Sequence, residues 1–211
     1  MVPTGREPLA VAVTGGMGCG KSEVARILHK QGIMVRDADD VARDVVRPGT
    51  VALKRLVARF GKEIVRNSGE LDRPKLASIV FGDSQALADV NAIVHPPVRD
   101  VIRTWASEQR ASGRDCAGII PLLFEVGADR EWDFVMCVAA SPDVCFARLR
   151  VRGWSDEEIS RRNAAQWTLE EKIKRADVVI ENNGSLDELA VRVRAAWKEI
   201  LEKESHHGRR R

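Results

Sequence analysis

The fold of this chain is decided by Leu9-Ala-Val-Ala-Val-Thr14 and the glycine-rich run that follows it, Gly15-Gly-Met-Gly-Cys-Gly-Lys-Ser22. The first run is apolar and rich in β-branched residues, which predicts a buried strand. The second run matches the pattern G-x-x-x-x-G-K-[ST], and Lys21 to Lys30 carries apolar side chains at helical spacing. A strand, a glycine-rich loop and a helix in this order predict a loop that binds the phosphates of a nucleoside triphosphate.

The chemistry of this loop follows from its residue types. Glycines let the backbone curl so that successive N–H groups point at one anion, and the start of the next helix also favours phosphate. Lys21 is expected to reach the β- and γ-phosphates, and Ser22 to bind Mg²⁺. The predicted ATP contacts along the loop are Gly15, Gly16, Met17, Gly18, Cys19, Gly20, Lys21, Ser22 and Glu23.

Length and composition indicate a globular protein. The 211 residues suit one domain with a possible inserted sub-domain, and 44% hydrophobic with 31% charged residues is an ordinary balance. A net charge of +3 is too small to imply nucleic-acid binding, and no apolar stretch is long enough to cross a membrane. We therefore expect no nucleic-acid or membrane partner, and a monomer or weak homo-oligomer.

The four cysteines show neither disulfide-like nor zinc-like spacing, which favours free thiols in a reducing compartment. The first residues carry charges of both signs before a short apolar run, unlike a secretory signal. The expected location is the cytoplasm.

Five short apolar runs predict the strands of one parallel sheet. They cover residues 9–14, 33–35, 117–120, 134–139 and 178–180. Helical periodicity lies between them, which predicts a three-layer α/β fold. Ser141, Ser155, Thr168 and Ser185 have the sequence context of helix N-caps.

The segment between the second and third predicted strands is much longer than the dozen or so residues that a parallel crossover needs. Its apolar spacing is helical, Asp72 with Pro74 marks a helix start, and Gly61 marks a helix end. We predict a helical insertion over residues 47–112.

Two groups of residues could perform phosphoryl transfer. Asp37 and Asp39 follow the second strand, and a carboxylate at that edge could orient a hydroxyl and accept its proton. The same pair could instead form a turn or a helix cap.

Later arginines could neutralise the charge that develops on a transferring phosphoryl group. Arg148 and Arg152 lie one turn apart, and Arg161 and Arg162 follow near the next helix. The alternative is a solvated basic face paired with the acidic residues at 156–158.

The chain lacks the Asn-Lys-x-Asp motif of GTPases and the Leu-Ser-Gly-Gly-Gln motif of transporter ATPases. Its short length, insertion and arginines fit a small-molecule kinase better. Two rivals remain open: a kinase of another small acceptor, such as a nucleoside monophosphate or shikimate, and an ATP-sensing module without catalysis.

From about residue 11 to 200 the chain resembles the dephospho-coenzyme A kinase family. The resemblance is carried by Thr14-Gly-Gly-Met-Gly-Cys-Gly-Lys-Ser22, Asp37-Ala-Asp39, Arg47-Pro-Gly49, Gly69-Glu-Leu-Asp-Arg73, Asn91-Ala-Ile-Val-His-Pro96, Pro121-Leu-Leu-Phe-Glu125, Arg148-x-x-x-Arg152, Arg162-Asn-Ala-Ala-Gln166, Lys172 with Ala176-Asp177, and Ile180-Glu-Asn182. The loop is shared by many families, whereas its combination with the other motifs in this order is much more specific.

The resemblance implies a three-layer P-loop fold with a five-stranded parallel sheet, a helical substrate-binding insertion and a helical lid. It implies a nucleotide-binding core of residues 1–46, 113–150 and 176–205, a coenzyme-A-binding insertion of 47–112, and a lid of 151–175. The implied reaction transfers the γ-phosphate of ATP, with Mg²⁺, to the ribose 3′-hydroxyl of dephospho-coenzyme A.

The resemblance also implies roles for single residues. Asp39 would be the general base, and Lys21 and Arg148 would act on the phosphates. Further ATP contacts would come from Arg152, Arg162 and Asn182. The acceptor side would include Asp37, Arg73, His95, Leu122 and Glu125, although for His95 taken alone a satisfied histidine at a helix end before Pro96 is the stronger interpretation.

This sequence departs from the family pattern at several positions. Cys19 replaces a commoner serine, where only its backbone N–H is expected to matter, and Glu23 brings negative charge close to the phosphates. Cys145 stands where glutamine is usual. Gly118-Ile119-Ile120 offers no aspartate for magnesium, so the metal is expected to rely on Ser22, phosphates, waters and Asp37 or Asp39.

Overall fold

The glycine-rich loop joins a strand to a helix, as the sequence predicts. Strand β1 spans Ala10–Gly15 and is buried along its whole length, and helix α1 spans Lys21–Lys30. These elements belong to a computed structural model that describes residues 6–164 and 166–207. The loop therefore lies at the carboxyl end of a buried strand.

Four further strands complete the sheet: β2 (Met34–Asp37), β3 (Cys116–Ile119), β4 (Phe134–Ala139) and β5 (Val178–Glu181). Their order is β2-β3-β1-β4-β5, so β1 occupies the centre. β1 pairs in parallel with β3 and β4, and β4 pairs in parallel with β5. The predicted five-stranded parallel sheet is confirmed, and it brings the ends of β1, β3 and β4 to one edge.

Four helices follow β4 and β5: α6 (Pro142–Val151), α7 (Asp156–Ala164), α8 (Leu169–Arg175) and α9 (Leu186–His207). Helices α8 and α9 pack on the sheet, and α7 packs against α6. Thr168 forms a complete capping box with Glu171 at the start of α8. The core is apolar and joins β1 and β4 to α1 and α9 through residues such as Val13, Met136 and Val193. These caps and faces agree with the patterns in the sequence.

The chain divides into two compact units, one with residues up to 36 and from 106 onward, the other with residues 37–105. The second unit has its own buried cluster, which includes Leu56 and Ile64. It contains α2 (Ala38–Asp44), α3 (Val51–Phe60), a short 3₁₀ helix (Lys62–Ile64) and α4 (Arg73–Val80). Helix α5 (Ser84–Ala111) spans the division.

Two local features differ from the sequence-based expectations. Helix α2, which the apolar periodicity did not predict, begins directly after β2, and the Asp37 carboxylate caps it by accepting the backbone N–H of Asp39, which is the helix-cap alternative that the sequence left open. Helix α5 also continues through Pro96 and Pro97, so His95 lies within a helix and not at its end. A proline removes one backbone donor, and the buried residues Ile93 and Ile102 hold the helix on both sides of that gap.

Candidate phosphate-transfer site

Two glycines of the loop occupy positions where a side chain would not fit. At Gly15, with φ of 143°, a Cβ atom would overlap the backbone carbonyl of Val138 in β4. At Gly20, with φ of 97°, a Cβ atom would overlap the side-chain amide of Asn182. The loop backbone is therefore in direct contact with β4 and with the residue after β5.

The ammonium group of Lys21 lies over the loop backbone. Its Nζ donates to the carbonyl oxygens of Gly15 and Gly16, at 2.9 Å in each case. The Ser22 side chain lies in the first turn of α1 and is exposed. The first N–H groups of a helix have no carbonyl partner within that helix, so this end of α1 is suited to an anion.

Asn182 and Arg148 support the loop from the side. The Asn182 Nδ2 atom donates to the Cys19 carbonyl oxygen at 2.8 Å, and Arg148 Nη2 donates to Asn182 Oδ1 at 3.3 Å. The Nη1 atom of Arg148 is buried and has no hydrogen-bond partner within residues 6–164 and 166–207. An unpartnered guanidinium nitrogen beside Gly20 is suited to a phosphate oxygen.

Glu23 does not bring uncompensated charge to the loop. Arg26, one turn later on α1, donates through Nε to Glu23 Oε1 at 2.9 Å and forms an ion pair with it. This hydrogen bond holds the pKa of the Glu23 carboxyl below its usual range. The i,i+3 spacing of the two residues was the sequence signal that could have revealed the pair.

Lys172, on α8, is the main residue of this site that motif reasoning gave no role. Its side chain is fully buried, and Nζ donates to Pro121 O and pairs with Glu125 Oε1, both at 2.8 Å. Glu125 Oε1 also accepts the backbone N–H of Trp167 at 3.0 Å. Two sequence signals pointed to Lys172: its helical spacing with the apolar face of α8, and its place among the motif residues of the family resemblance.

The remaining oxygen of Glu125, Oε2, is buried and has no hydrogen-bond partner in the described part of the chain. Glu125 and the half-buried Leu122 lie in the turns after β3. Glu125 thus combines a structural contact with Lys172 and one oxygen available to another group.

The other predicted arginines lie on the surface. Arg152 follows the last turn of α6 and is exposed. Arg162 pairs with Glu158 at 2.7 Å, and its guanidinium lies 4.1 Å from the centre of the Trp154 ring. For Arg162 the structure thus shows the acidic pairing that the sequence left open as an alternative.

In the second unit, the predicted residues occupy separate local positions. Asp37 caps α2, while the Asp39 side chain lies in the first turn and is exposed. Arg73 Nη2 donates to Ala42 O at 3.4 Å, and partial burial lowers the pKa of its guanidinium. His95 is half-buried, and loss of hydration lowers its pKa.

The residues near the loop fit magnesium delivered with a nucleotide better than a protein-built metal site. Among the described residues, no three His, Cys, Asp or Glu side chains lie close enough together to hold a metal ion. Mg²⁺ commonly takes only one or two protein ligands and completes its shell with phosphates and water. The exposed Ser22 hydroxyl is one such ligand.

Comparison with known proteins matches this geometry to a family. The family model described as dephospho-CoA kinase matches residues 9–188. The chain belongs to the dephospho-CoA kinase family. A dephospho-CoA kinase from Streptomyces avermitilis is 42% identical to it over 203 residues, which cover 95% of this chain and 98% of that protein.

Solved structures agree with the dephospho-CoA kinase assignment. A protein from Thermus thermophilus is 37% identical with a TM-score of 0.76, and a dephospho-CoA kinase from Campylobacter jejuni is 25% identical with a TM-score of 0.70. Each match covers 92% of this chain and 98% of the other. The predicted P-loop α/β fold and family are confirmed.

Membership of a kinase family also confirms the prediction of an enzyme and implies use of ATP. Among the helices that the structure describes, none has the length and apolar character needed to cross a bilayer.

Proposed function

We propose that this chain transfers the γ-phosphate of ATP to the ribose 3′-hydroxyl of dephospho-coenzyme A, giving coenzyme A and ADP. The observation that carries the proposal is the phosphate loop with the buried, unpartnered Arg148 Nη1 beside it, in a chain that belongs to the dephospho-CoA kinase family. The reaction is the last step of coenzyme A synthesis.

The loop, residues 15–22, holds the triphosphate in this proposal. Lys21 exchanges its contacts with the Gly15 and Gly16 carbonyls for the β- and γ-phosphates, and Asn182 keeps the loop in shape through the Cys19 carbonyl. Ser22 provides the protein ligand for Mg²⁺. When bound, the metal supplies charge neutralisation on the β- and γ-phosphates.

Asp39 acts as the general base in the proposed reaction. Its carboxylate orients the 3′-hydroxyl and accepts the proton as the new P–O bond forms. Asp37 contributes by capping α2, which fixes the first turn that carries Asp39.

Arg148 stabilises the charge that develops on the transferring phosphoryl group, because one of its nitrogens is already oriented by Asn182 and the other lacks a partner in the described residues. Arg152 and Arg162 assist from residues 151–175, the proposed lid. For Arg162 this requires exchange of its contact with Glu158 for a phosphate.

The acceptor is bound by residues of the insertion and of the turns after β3. Arg73 and His95 contribute from the proposed acceptor domain, residues 47–112, and Leu122 and Glu125 from the proposed core, residues 1–46, 113–150 and 176–205. Arg73 is exposed, so its guanidinium is accessible to an anionic group of the acceptor.

The proposal includes a cytoplasmic monomer or weak homo-oligomer without nucleic-acid or membrane partners. Four free cysteines support a reducing compartment, and the modest net charge of +3 supports the absence of a polyanionic partner.

A panel of acceptors tests the proposal. ADP release is measured with Mg²⁺-ATP and, in turn, dephospho-coenzyme A, a nucleoside monophosphate, shikimate or no acceptor. We expect turnover with dephospho-coenzyme A to exceed that with the others by at least about a hundredfold, because binding energy from the rest of the acceptor orients its hydroxyl. Equal turnover with another acceptor would indicate a different kinase, and ATP binding without turnover would indicate a sensing module.

A further inference from the structure

Two of the four cysteines lie side by side, one within the phosphate loop and one in the helix beside it. The Sγ atoms of Cys19 and Cys145 are 3.4 Å apart, although the residues are 126 positions apart in the chain. Cys19 belongs to the loop and Cys145 to the first turns of α6. Both side chains are buried, at 1% and 9% exposure.

The surroundings shift the pKa values of the two thiols in opposite directions. A hydrogen bond from Cys145 lowers the pKa of Cys19, burial partly opposes this shift, and the positive charge of Lys21 adds to it. The same contact and burial raise the pKa of Cys145. The Cys19 sulfur is thus favoured as a thiolate and the Cys145 sulfur as a thiol. This difference suits Cys19 to attack an oxidant and Cys145 to resolve the product as a disulfide.

The other two cysteines provide an internal contrast. Cys116 in β3 and Cys137 in β4 are buried, and burial raises the pKa of each to about 12. In the described part of the chain, neither thiol shares a hydrogen bond with another thiol, as Cys19 and Cys145 do. They are expected to remain inert thiols.

We propose that Cys19 and Cys145 are a reversible oxidation site, and that a disulfide between them switches off ATP binding by the loop. Formation of the bond rests on this geometry alone, whereas its effect on catalysis rests on the proposed function. The oxidant is a hydroperoxide, which is small enough to reach the sulfurs when the loop opens locally.

The disulfide forms in two steps. The Cys19 thiolate attacks the peroxide, so that a sulfur–oxygen bond forms, the oxygen–oxygen bond breaks, and the released hydroxide takes up a proton to give water. The Cys145 sulfur then attacks the sulfenic acid at Cys19, a second water leaves, and the disulfide forms. Two thiols are oxidised to one disulfide, and one peroxide is reduced to two waters.

The bond would distort the loop. A disulfide bond is about 2.05 Å long, so the sulfurs must approach each other by about 1.3 Å from their present separation. The loop has little freedom to follow, because a Cβ atom at Gly18 would lie 2.8 Å from the Cys145 carbonyl oxygen and Asn182 holds the Cys19 carbonyl. Phosphate-binding N–H groups need placement within about 0.5 Å, so we expect at least tenfold weaker ATP binding.

The test uses the full chain, first reduced and then treated with a small excess of hydrogen peroxide. Free thiols are alkylated under denaturing conditions, and the digest is analysed by mass spectrometry. We expect loss of two hydrogen atoms from the protein, a peptide pair joined through Cys19 and Cys145, and reversal by dithiothreitol. ATP affinity is measured by calorimetry on the same samples.

Variants separate the pair from general oxidation damage. Cys145→Ser lacks the resolving thiol, so peroxide should give no linked peptide and no loss of affinity that dithiothreitol reverses. Cys116→Ser is the matched control, since it removes another buried cysteine whose charged neighbours are Arg110, Asp115 and Asp133, and it should respond to peroxide as the unsubstituted chain does. If Cys145→Ser does not fold, the linked peptide in the unsubstituted chain still decides the proposal.

Several outcomes would overturn the proposal. No Cys19–Cys145 peptide at any peroxide concentration that spares methionine would exclude the bond, and a linked pair with unchanged ATP affinity would exclude the switch. Both readouts are independent of the acceptor, so a failure of the proposed kinase reaction would leave them interpretable.

Discussion

At the scale of the residue, the first turn of α1 shows how a neighbouring side chain can neutralise a charge that the sequence places near the phosphates. Glu23 reads in the sequence as negative charge beside phosphate, yet the structure pairs it with Arg26. Asp39 is a different case, because it is exposed in the first turn of α2 while Asp37 is occupied with the cap. Of the two aspartates, Asp39 is therefore the one with a carboxylate available as a base.

Replacement of this carboxylate tests its role. Asp39→Asn should lower kcat about a hundredfold or more, since a general base contributes at least that much, and should leave ATP affinity unchanged. Steady-state kinetics and calorimetry measure the two effects. The matched control is Asp40→Asn, which removes an exposed carboxylate one position later that pairs with Arg43. Equal kcat values for the two variants would remove Asp39 from the reaction.

Gly20 allows a second test of the loop geometry at the residue scale. Gly20→Ala should weaken ATP binding strongly, because its Cβ would displace the Asn182 amide that supports the loop. Gly32→Ala is the control, since Gly32 has a similar φ of 85° but no atom within 4 Å of the added Cβ. Each substitution carries a backbone cost of about 1–2 kcal/mol, so a similar loss of ATP affinity in both would show that the contact with Asn182 is unimportant.

At the scale of the element, a buried ion pair links α8 to the turns that follow β3. Lys172 joins Glu125 and the carbonyl of Pro121, and Trp167 before the helix stacks on Phe124 with ring centres 5.9 Å apart. These contacts hold one end of the proposed lid. The other helix of that segment, α7, has an ion pair between Arg162 and Glu158 at its own surface.

Removal of the buried ammonium should therefore destabilise the protein. Lys172→Met is expected to cost about 3 kcal/mol or more, because it leaves the Glu125 carboxylate buried without its partner. Chemical denaturation followed by fluorescence measures this. Lys174→Met, on the exposed side of the same helix, is the control and should change stability by less than about 0.5 kcal/mol. The double variant Lys172→Met, Glu125→Gln should be more stable than Lys172→Met alone, because no unpaired carboxylate remains. If the two losses in the free energy of unfolding simply add, the two side chains do not interact.

Local patterns in the sequence predicted most elements, because caps and apolar periodicity act over a few residues. Thr168 and Asp72 cap helices where the sequence predicts them, and Gly61 ends α3. The helix through Pro96 was missed because packing on both sides of the proline compensates for the lost donor. The role of Lys172 and the Cys19–Cys145 contact were missed because their partners are distant in sequence and adjacent only in the folded chain.

At the scale of the whole molecule, the residues that the structure describes include two separate buried clusters. One surrounds the sheet, and the other lies within residues 37–105. Because local stability depends on the contacts within each unit, we expect each of the two clusters to unfold locally without the other.

A cavity in the second cluster tests this separation. Leu56→Ala should destabilise residues 37–105 by about 3 kcal/mol, since Leu56 is fully buried there. Hydrogen exchange followed by mass spectrometry should show faster exchange in α3 and α4, with little change in β1 and β4. A uniform increase across both clusters would show that the protein opens as one cooperative unit.

The central claim concerns where the γ-phosphate of ATP goes, and ³¹P NMR of the product measures it directly. With Mg²⁺-ATP and dephospho-coenzyme A, we predict one new phosphomonoester on the ribose 3′-oxygen for each ADP formed. ADP accompanied only by inorganic phosphate, or a phosphate on any other oxygen, would contradict the proposed function.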